Sequence, residues 1–226
     1  MLQKFQDACF KKKKYLLTSF NYCAMIKNLI LDFGDIFIDL DKPATVREMA
    51  KYGLTEITLA VDQLCKDYEK GLVTSEAFLN QMQDHFPRAE RHELVDAWNA
   101  ILLDFPDYRL EFLEELAKAN THRLFLLSNT NDIHIEYVKE KMGTTKFNRF
   151  KNAFDVFYLS YEMKMRKPDA EIFESVLHEN SLEASATLFV DDTKENTDTA
   201  AALGIQVWNL QVGKEDIIDL KKHLIC

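Results

Sequence analysis

Five short apolar runs, "NLILDF", "RLFLLS", "DVFYLS", "TLFVDD" and "IQVWNL", constrain the fold of this chain more than any other feature. Runs of this length without polar alternation predict strands covered on both faces. Between most of them lie segments with apolar residues at helical spacing: "NDIHIEYVKEKM", "DAEIFESVLHEN" and "KENTDTAAALG", the last closing on Gly204 as a helix stop. Strands alternating with helices predict an α/β fold, a parallel sheet flanked by helices on both faces. With 226 residues, 47% of them hydrophobic, the chain can bury the core of one such domain carrying an insertion.

One interval breaks the alternation. From Lys42 to His122 the pattern is helical throughout, in "TVREMAKYG", "EITLAVDQLCKDYEKG", "TSEAFLNQMQDHF", "RHELVDAWNAILL" and "RLEFLEELAKAN". A crossover between parallel strands needs only about a dozen residues, so the excess predicts a helical module inserted after the first strand. The expected division is an N-terminal extension over residues 1–24, a core over 25–41 and 106–226, and the insert over 42–105. Thr74 is expected to cap a helix within the insert, and Trp98, Phe78 and Met82, at core-like spacing, to pack inside it rather than meet a ligand. Gly and Pro number only six and four, too few for a long flexible linker between independent domains.

Composition excludes several classes. The net charge of −9, with Lys and Arg dispersed among acids, disfavours nucleic acid or an anionic membrane as the main partner. Cys9, Cys23, Cys65 and Cys226 are widely separated and lack zinc-ligand spacing, which reads as free thiols in a cytoplasmic protein. No apolar run reaches the roughly 18 to 20 residues of a membrane span. The "KKKK" and "YLLTSF" segments near the N-terminus have too short an apolar stretch and too poor a cleavage site for a signal peptide, so an N-terminal extension before Met25 is the expectation.

The strand ends carry the chemistry. The first run reaches Asp32, the second Ser128 and the fourth Asp191 and Asp192, while "MRKP" with Lys167 follows the third. In an open parallel sheet, ligands bind beyond the carboxyl ends of the strands, so these distant residues should converge on one crevice. A carboxylate beside a divalent cation can attack phosphorus and divide one hard displacement into two easier ones. The acidic pair would hold the cation, and Mg²⁺ suits such oxygen donors. Ser128 and the amides after it, at a helix start, can bind phosphoryl oxygens, and Lys167 can offset the accumulated negative charge.

"LILDFGDIFIDLD", "LLSNTND", "MRKPDAEIF" and "LFVDDTKENTDTAAALG" resemble, in order and spacing, the four motifs of the haloacid dehalogenase superfamily, from about Asn28 to Asn209. Within it the chain is similar to small sugar-phosphate phosphatases such as bacterial glucose-1-phosphate phosphatases. The resemblance implies a Rossmann-like core with a small helical cap, and a Mg²⁺-dependent phosphatase of small phosphate monoesters working through an aspartyl-phosphate. It implies Asp32 as nucleophile and metal ligand, the Gly34 carbonyl and Asp192 as direct metal ligands, and Asp191 acting through a metal-bound water. Ser128 and Lys167, with the amides of Asn129 and Thr130, would hold the phosphoryl group.

One position departs from the wider pattern. Most phosphatases of the superfamily carry a second Asp two residues after the nucleophile as general acid and base, and here it is Gly34. Such a group is worth about 10² to 10⁴ in rate. Either a substrate with a good leaving group, such as an anomeric hydroxyl, or a bound water or Asp35 in the role is the expected compensation, Asp35 being the weaker candidate because its side chain should leave the strand on another side. Arg166 is expected to be an ion-pair partner, Asn196 either a metal-site support or a solvated helix residue, and Asp39 and Asp41 solvated turn residues. No histidine is assigned to chemistry. A dehalogenase, a phospho-accepting receiver domain and a silent binding protein on the same scaffold are the competing readings. The acidic pair argues against the first, its late position in the chain against the second, and Gly34 alone favours the third. The oligomeric state is left open.

Overall fold

The computed structural model describes residues 25–224. The predicted extension over 1–24, with Cys9 and Cys23, and also Cys226, lie outside the described residues. Five parallel strands form one sheet in the order β3-β2-β1-β4-β5, with β1 (Asn28–Leu31) at its centre. Strand β1 pairs β2 (Arg123–Ser128) on one side and β4 (Thr187–Asp191) on the other; β3 (Val156–Leu159) and β5 (Gln206–Asn209) are the edges. All five are the apolar runs of the sequence.

Successive side chains of a strand point to opposite faces, and the core divides accordingly. Ile30, Phe125, Leu127 and Phe189 pack with Ile172, Phe173 and Val176 of one flanking helix, whereas Leu29, Leu31, Leu124, Leu126 and Val190 pack with Leu110, Leu113, Ile135 and Phe150 on the other face. Covering both faces removes the central strands from water, which is why they tolerate no polar alternation.

Between β1 and β2 run α1 (Ala44–Ala50), α2 (Leu59–Glu69), α3 (Ser75–His85), α4 (Arg91–Asn99) and α5 (Asp107–Ala119). Helix α5 packs on the sheet, and α1 to α4 share an apolar cluster of their own that contains Met49, Leu64, Tyr68, Phe78, Met82 and Trp98. The Tyr68 and Phe78 rings stack at 4.2 Å, with Trp98 at 4.8 Å from Phe78, so these side chains form the interior of the insert as expected. Thr58 and Thr74 cap α2 and α3 by accepting from Val61 and Ala77 amides.

After β2 come α6 (Asp132–Met142), α7 (Thr144–Asn152), the one-turn α8 (Ser160–Met163) after β3, α9 (Ala170–Glu179) and α10 (Lys194–Ala202). Helix α7 is not announced by the sequence: "TTKFNRFKN" has two large apolar residues, Phe147 and Phe150, both buried. The aromatic cluster they join, with Phe37, Phe105 and Phe154, is assembled from separate parts of the chain. Asp39 is paired rather than simply solvated, because the buried Arg109 of α5 donates to it at 2.8 Å and to Asp216 at 2.9 Å; Asp41 likewise pairs with Arg47.

The insert meets the core at the strand ends. The Ser160 hydroxyl donates to the Glu69 carbonyl at 2.7 Å, Lys164 Nζ donates to the Gly71 carbonyl at 2.6 Å, and Lys70 pairs with Asp169 at 2.7 Å. Gly71 has φ +61°, and a Cβ there would lie 2.1 Å from the Tyr161 carbonyl oxygen. Only glycine combines that backbone with that approach. Gly71→Ala should therefore destabilise the protein by at least about 2 kcal/mol, which thermal unfolding would report as a loss of roughly 4 °C or more. An unchanged melting temperature would mean that the turn and core do not meet as described.

Candidate active site

The centre of the site is Lys167. Its side chain, 1% exposed, crosses beneath the strand ends and donates at 2.7 Å to Asp32 Oδ1, to Asp191 Oδ2 and to the Leu127 carbonyl. Three acceptors match the three protons of an ammonium. Asp32 stands just past β1, where its amide donates to the Val190 carbonyl at 3.0 Å and extends the strand pairing by one residue. Asp191, fully buried at the end of β4, also accepts from the Thr193 amide at 2.7 Å and from Asn196 Nδ2 at 3.0 and 3.1 Å. Asn196 thus holds a carboxylate, which settles it as a support of the acidic group over a solvated helix residue.

Carboxylate oxygens of Asp32, Asp191 and Asp192 lie within 4.8 Å of one another. Asp192 also pairs with Lys42, from the neck of the insert, which reaches Asp35 at 3.1 Å. Around Gly34 the backbone bonds run from the Asp35 amide to the Ile38 carbonyl and from the Ile38 amide to the Phe33 carbonyl, leaving the Gly34 carbonyl without a donor among the described residues. A set of carboxylates and one free carbonyl is the donor chemistry of a hard divalent cation, so these residues fit Mg²⁺.

Burial pushes the Asp32 carboxyl up to about 7; Lys167 pulls against this and Asp191 adds to it. The same burial opposes charge on Lys167, but the two carboxylates beside it hold its pKa above the usual lysine value. His134 is pushed down to about 4 by burial; its Nε2 faces the Trp98 carbonyl at 3.1 Å and its ring stacks on Trp98, which makes it a neutral link between insert and core.

The remaining sequence candidates fall nearby. Asn129 exchanges two hydrogen bonds of 2.8 Å with the backbone of Lys167, fixing the loops after β2 and α8 against each other. The Ser128 hydroxyl, buried, has no hydrogen-bond partner among the described residues. The Thr130 amide departs from expectation: it donates to Ser160 Oγ at 3.0 Å, because Ser160 turns inward from the start of α8. Both Asp35 oxygens are engaged, one by the Leu40 amide and the other by Lys42, at a residue with φ +55°.

Above this group lies a cleft of about 650 Å³, lined by Asp32, Gly34, Lys167 and Asp192 from the core and by Gln63, Lys66, Glu69 and Lys70 from α2 and its end. A recess of about 100 Å³ over Gly34, Ser128, Asn129 and Thr130 also touches Glu69. A third hollow, about 240 Å³ and mostly apolar, runs into the insert past Ile101. Sequence reasoning missed Glu69 and Lys42, since an acid and a base in a charge-rich helical segment give no signal of facing a cleft.

A family model of haloacid dehalogenase-like hydrolases matches residues 25–204, and the chain belongs to that family. It is 27% identical over 197 residues to D-ribitol-5-phosphate phosphatase from Bacteroides thetaiotaomicron, spanning 84% of this chain and 95% of that protein. A crystal structure of a haloacid dehalogenase family enzyme from Bacteroides thetaiotaomicron, a magnesium complex, matches with a TM-score of 0.75 at 34% identity, covering 84% of this chain and 96% of that one. A predicted haloacid dehalogenase-like hydrolase from Porphyromonas gingivalis matches with a TM-score of 0.76 at 27% identity, over 89% of this chain and 98% of that one. No helix among the described residues is long and apolar enough to cross a membrane.

Replacing Lys167 would leave Asp32 and Asp191 buried without their shared cation. Lys167→Met is expected to cost about 3–5 kcal/mol at pH 8 by urea unfolding. The deficit should shrink toward pH 5, because the folded variant would take up protons that the unfolded chain does not. A deficit independent of pH would show that the carboxylates do not depend on Lys167.

Proposed function

We propose that the protein is a Mg²⁺-dependent phosphatase that hydrolyses a small phosphate monoester, of the sugar-phosphate class, through an aspartyl-phosphate on Asp32. The observation that carries this reading is the buried Asp32–Lys167–Asp191 group, with Asp192 beside it, at the floor of an open cleft. The magnesium-bound relative and the ribitol-phosphate phosphatase support the cofactor and the substrate class.

In this mechanism Asp32 attacks phosphorus, the P–O bond to the leaving group breaks, and water then cleaves the acyl-phosphate to release phosphate and restore the carboxylate. Asp32, the Gly34 carbonyl and Asp192 would hold Mg²⁺, with Asp191 acting through a water, and the bound cation would supply charge stabilisation to the phosphoryl oxygens. Lys167 keeps the carboxylates together and faces the charge that builds on the phosphoryl group. Ser128 and the Asn129 amide bind phosphoryl oxygens; the Thr130 amide joins them only after leaving Ser160. Residues 42–105 act as a cap that covers the cleft and selects the substrate.

The position of the usual acid remains glycine. A Cβ on Gly34 would lie 2.7 Å from Leu40 Cδ1, so an acid there would require that side chain to move. With both Asp35 oxygens engaged as well, either bound water supplies the proton to the departing alkoxide, or the substrate carries a leaving group that needs little protonation, such as an anomeric hydroxyl.

Asp32→Asn should lower turnover of p-nitrophenyl phosphate by at least about 10³-fold with the fold intact by circular dichroism, and chelation of Mg²⁺ with EDTA should abolish wild-type turnover reversibly. Retained turnover in Asp32→Asn would refute the nucleophile assignment. Attack requires the ionised carboxylate, so activity should rise with pH on an acidic limb set by Asp32, which burial, opposed by Lys167 and aided by Asp191, raises to about 7. A neighbouring cation favours the charged form, so this limb should move to lower pH as Mg²⁺ is raised. Movement in the other direction, or none, would separate the limb from Asp32.

A further inference from the structure

We propose that Glu69 is a specificity-determining residue that binds a hydroxyl of the departing alcohol, which makes the preferred substrate a polyhydroxylated phosphate ester. The inference rests on the phosphatase reading above and identifies the group on this chain that recognises what leaves. Glu69 is the last residue of α2, and its position is over-determined. Its carbonyl accepts from the Ser160 hydroxyl at 2.7 Å, and one side-chain oxygen, Oε2, accepts from Arg166 Nε and Nη2 at 3.0 and 2.9 Å. Arg166 adjoins Lys167, so the Glu69 carboxylate is referenced directly to the loop that carries the central ammonium.

The other oxygen, Oε1, has no hydrogen-bond partner among the described residues, on a side chain that is 26% exposed. It is not sealed in the interior but reaches solvent. Glu69 lines the main cleft with Asp32 and Gly34, the recess over Ser128 and the entrance to the apolar hollow. With one oxygen fixed by a guanidinium and the other unpartnered on a residue that lines the cleft, Glu69 is a preorganised acceptor whose entropic cost of ordering is met before substrate arrives. Burial pushes the carboxyl above its usual range while Arg166 opposes this, and either protonation state can bond a hydroxyl.

A polar group that must leave water to enter such a site discriminates strongly against a substrate with nothing to offer it. An alkyl phosphate lacking further hydroxyls would leave Oε1 desolvated and unpaired, whereas a polyol phosphate satisfies it. The apolar hollow beyond Ile101 supplies the opposite expectation for a hydrocarbon chain, so the two can be told apart on one variant.

The test compares kcat/KM of wild type, Glu69→Ala and Glu69→Gln on ribitol 5-phosphate, ethyl phosphate and p-nitrophenyl phosphate. Glu69→Ala is expected to lose about 10- to 100-fold on ribitol 5-phosphate, largely in KM, with less than about threefold change on the two hydroxyl-free esters. Glu69→Gln, which keeps an acceptor oxygen, should fall in between. Lys164→Met, which removes a neighbouring contact between insert and core, should leave the substrate ratio unchanged. Equal losses on all three esters would reduce Glu69 to a structural clasp and overturn the inference, as would a gain on ethyl phosphate with no loss on the polyol. Absence of wild-type turnover on every ester would instead overturn the phosphatase reading itself.

Discussion

A lysine ammonium buried between two carboxylates is the constraint on which the rest of this molecule depends. Lys167 can stay charged at 1% exposure because Asp32, just past β1, and Asp191, at the end of β4, stand 2.7 Å away and the Leu127 carbonyl of β2 accepts its third hydrogen bond. That requirement places three adjacent strand ends and the loop after α8 in fixed register. It also leaves the proposed nucleophile poised, because desolvation raises the Asp32 carboxyl to about 7 while the ammonium limits the rise. A buried ion group of this kind adds little net stability, but losing one member is costly. Its arrangement suits a cycle in which negative charge arrives, moves and departs.

The insert makes the second half of the cleft and is held to the first by short polar contacts rather than a large apolar seam. Ser160, Lys164, Arg166 and Asp169 all engage the stretch from Glu69 to Gly71, while Asn131 and His134 engage Trp98. Contacts of this type can break and re-form without exposing much hydrophobic surface, which suits the proposed role of the insert as a cap over the cleft. The same stretch carries Glu69, so the element that joins the insert to the core also lines the cleft with Asp32.

Much of this was legible in the residues themselves. The five strands are visible because burial on both faces forbids polar alternation, and the ends of β1, β2 and β4 carry Asp32, Ser128 and Asp191 because a parallel sheet collects its strand ends on one side. The insert showed through its surplus of helix. Helix α7 did not, since its two buried phenylalanines find partners only in three dimensions. Nothing in the sequence marks Arg109, which is buried between Asp39 and Asp216 from distant segments. Lys42 and Glu69 gave no signal at all, because charge on a helical insert is the ordinary state of a solvated face and only packing decides which charges turn inward. The Thr130 amide illustrates the same limit: its engagement by Ser160 depends on a loop 30 residues away.

The central claim is a covalent phosphoryl group on Asp32. It is tested most directly by mixing the Mg²⁺-loaded enzyme with a ³²P-labelled substrate, quenching in acid within one turnover and mapping the labelled peptide. The account predicts acid-stable, hydroxylamine-labile phosphate on the peptide that contains Asp32, and none in Asp32→Asn. Full turnover with no protein-bound phosphate at any quench time, or label on another residue, would contradict it.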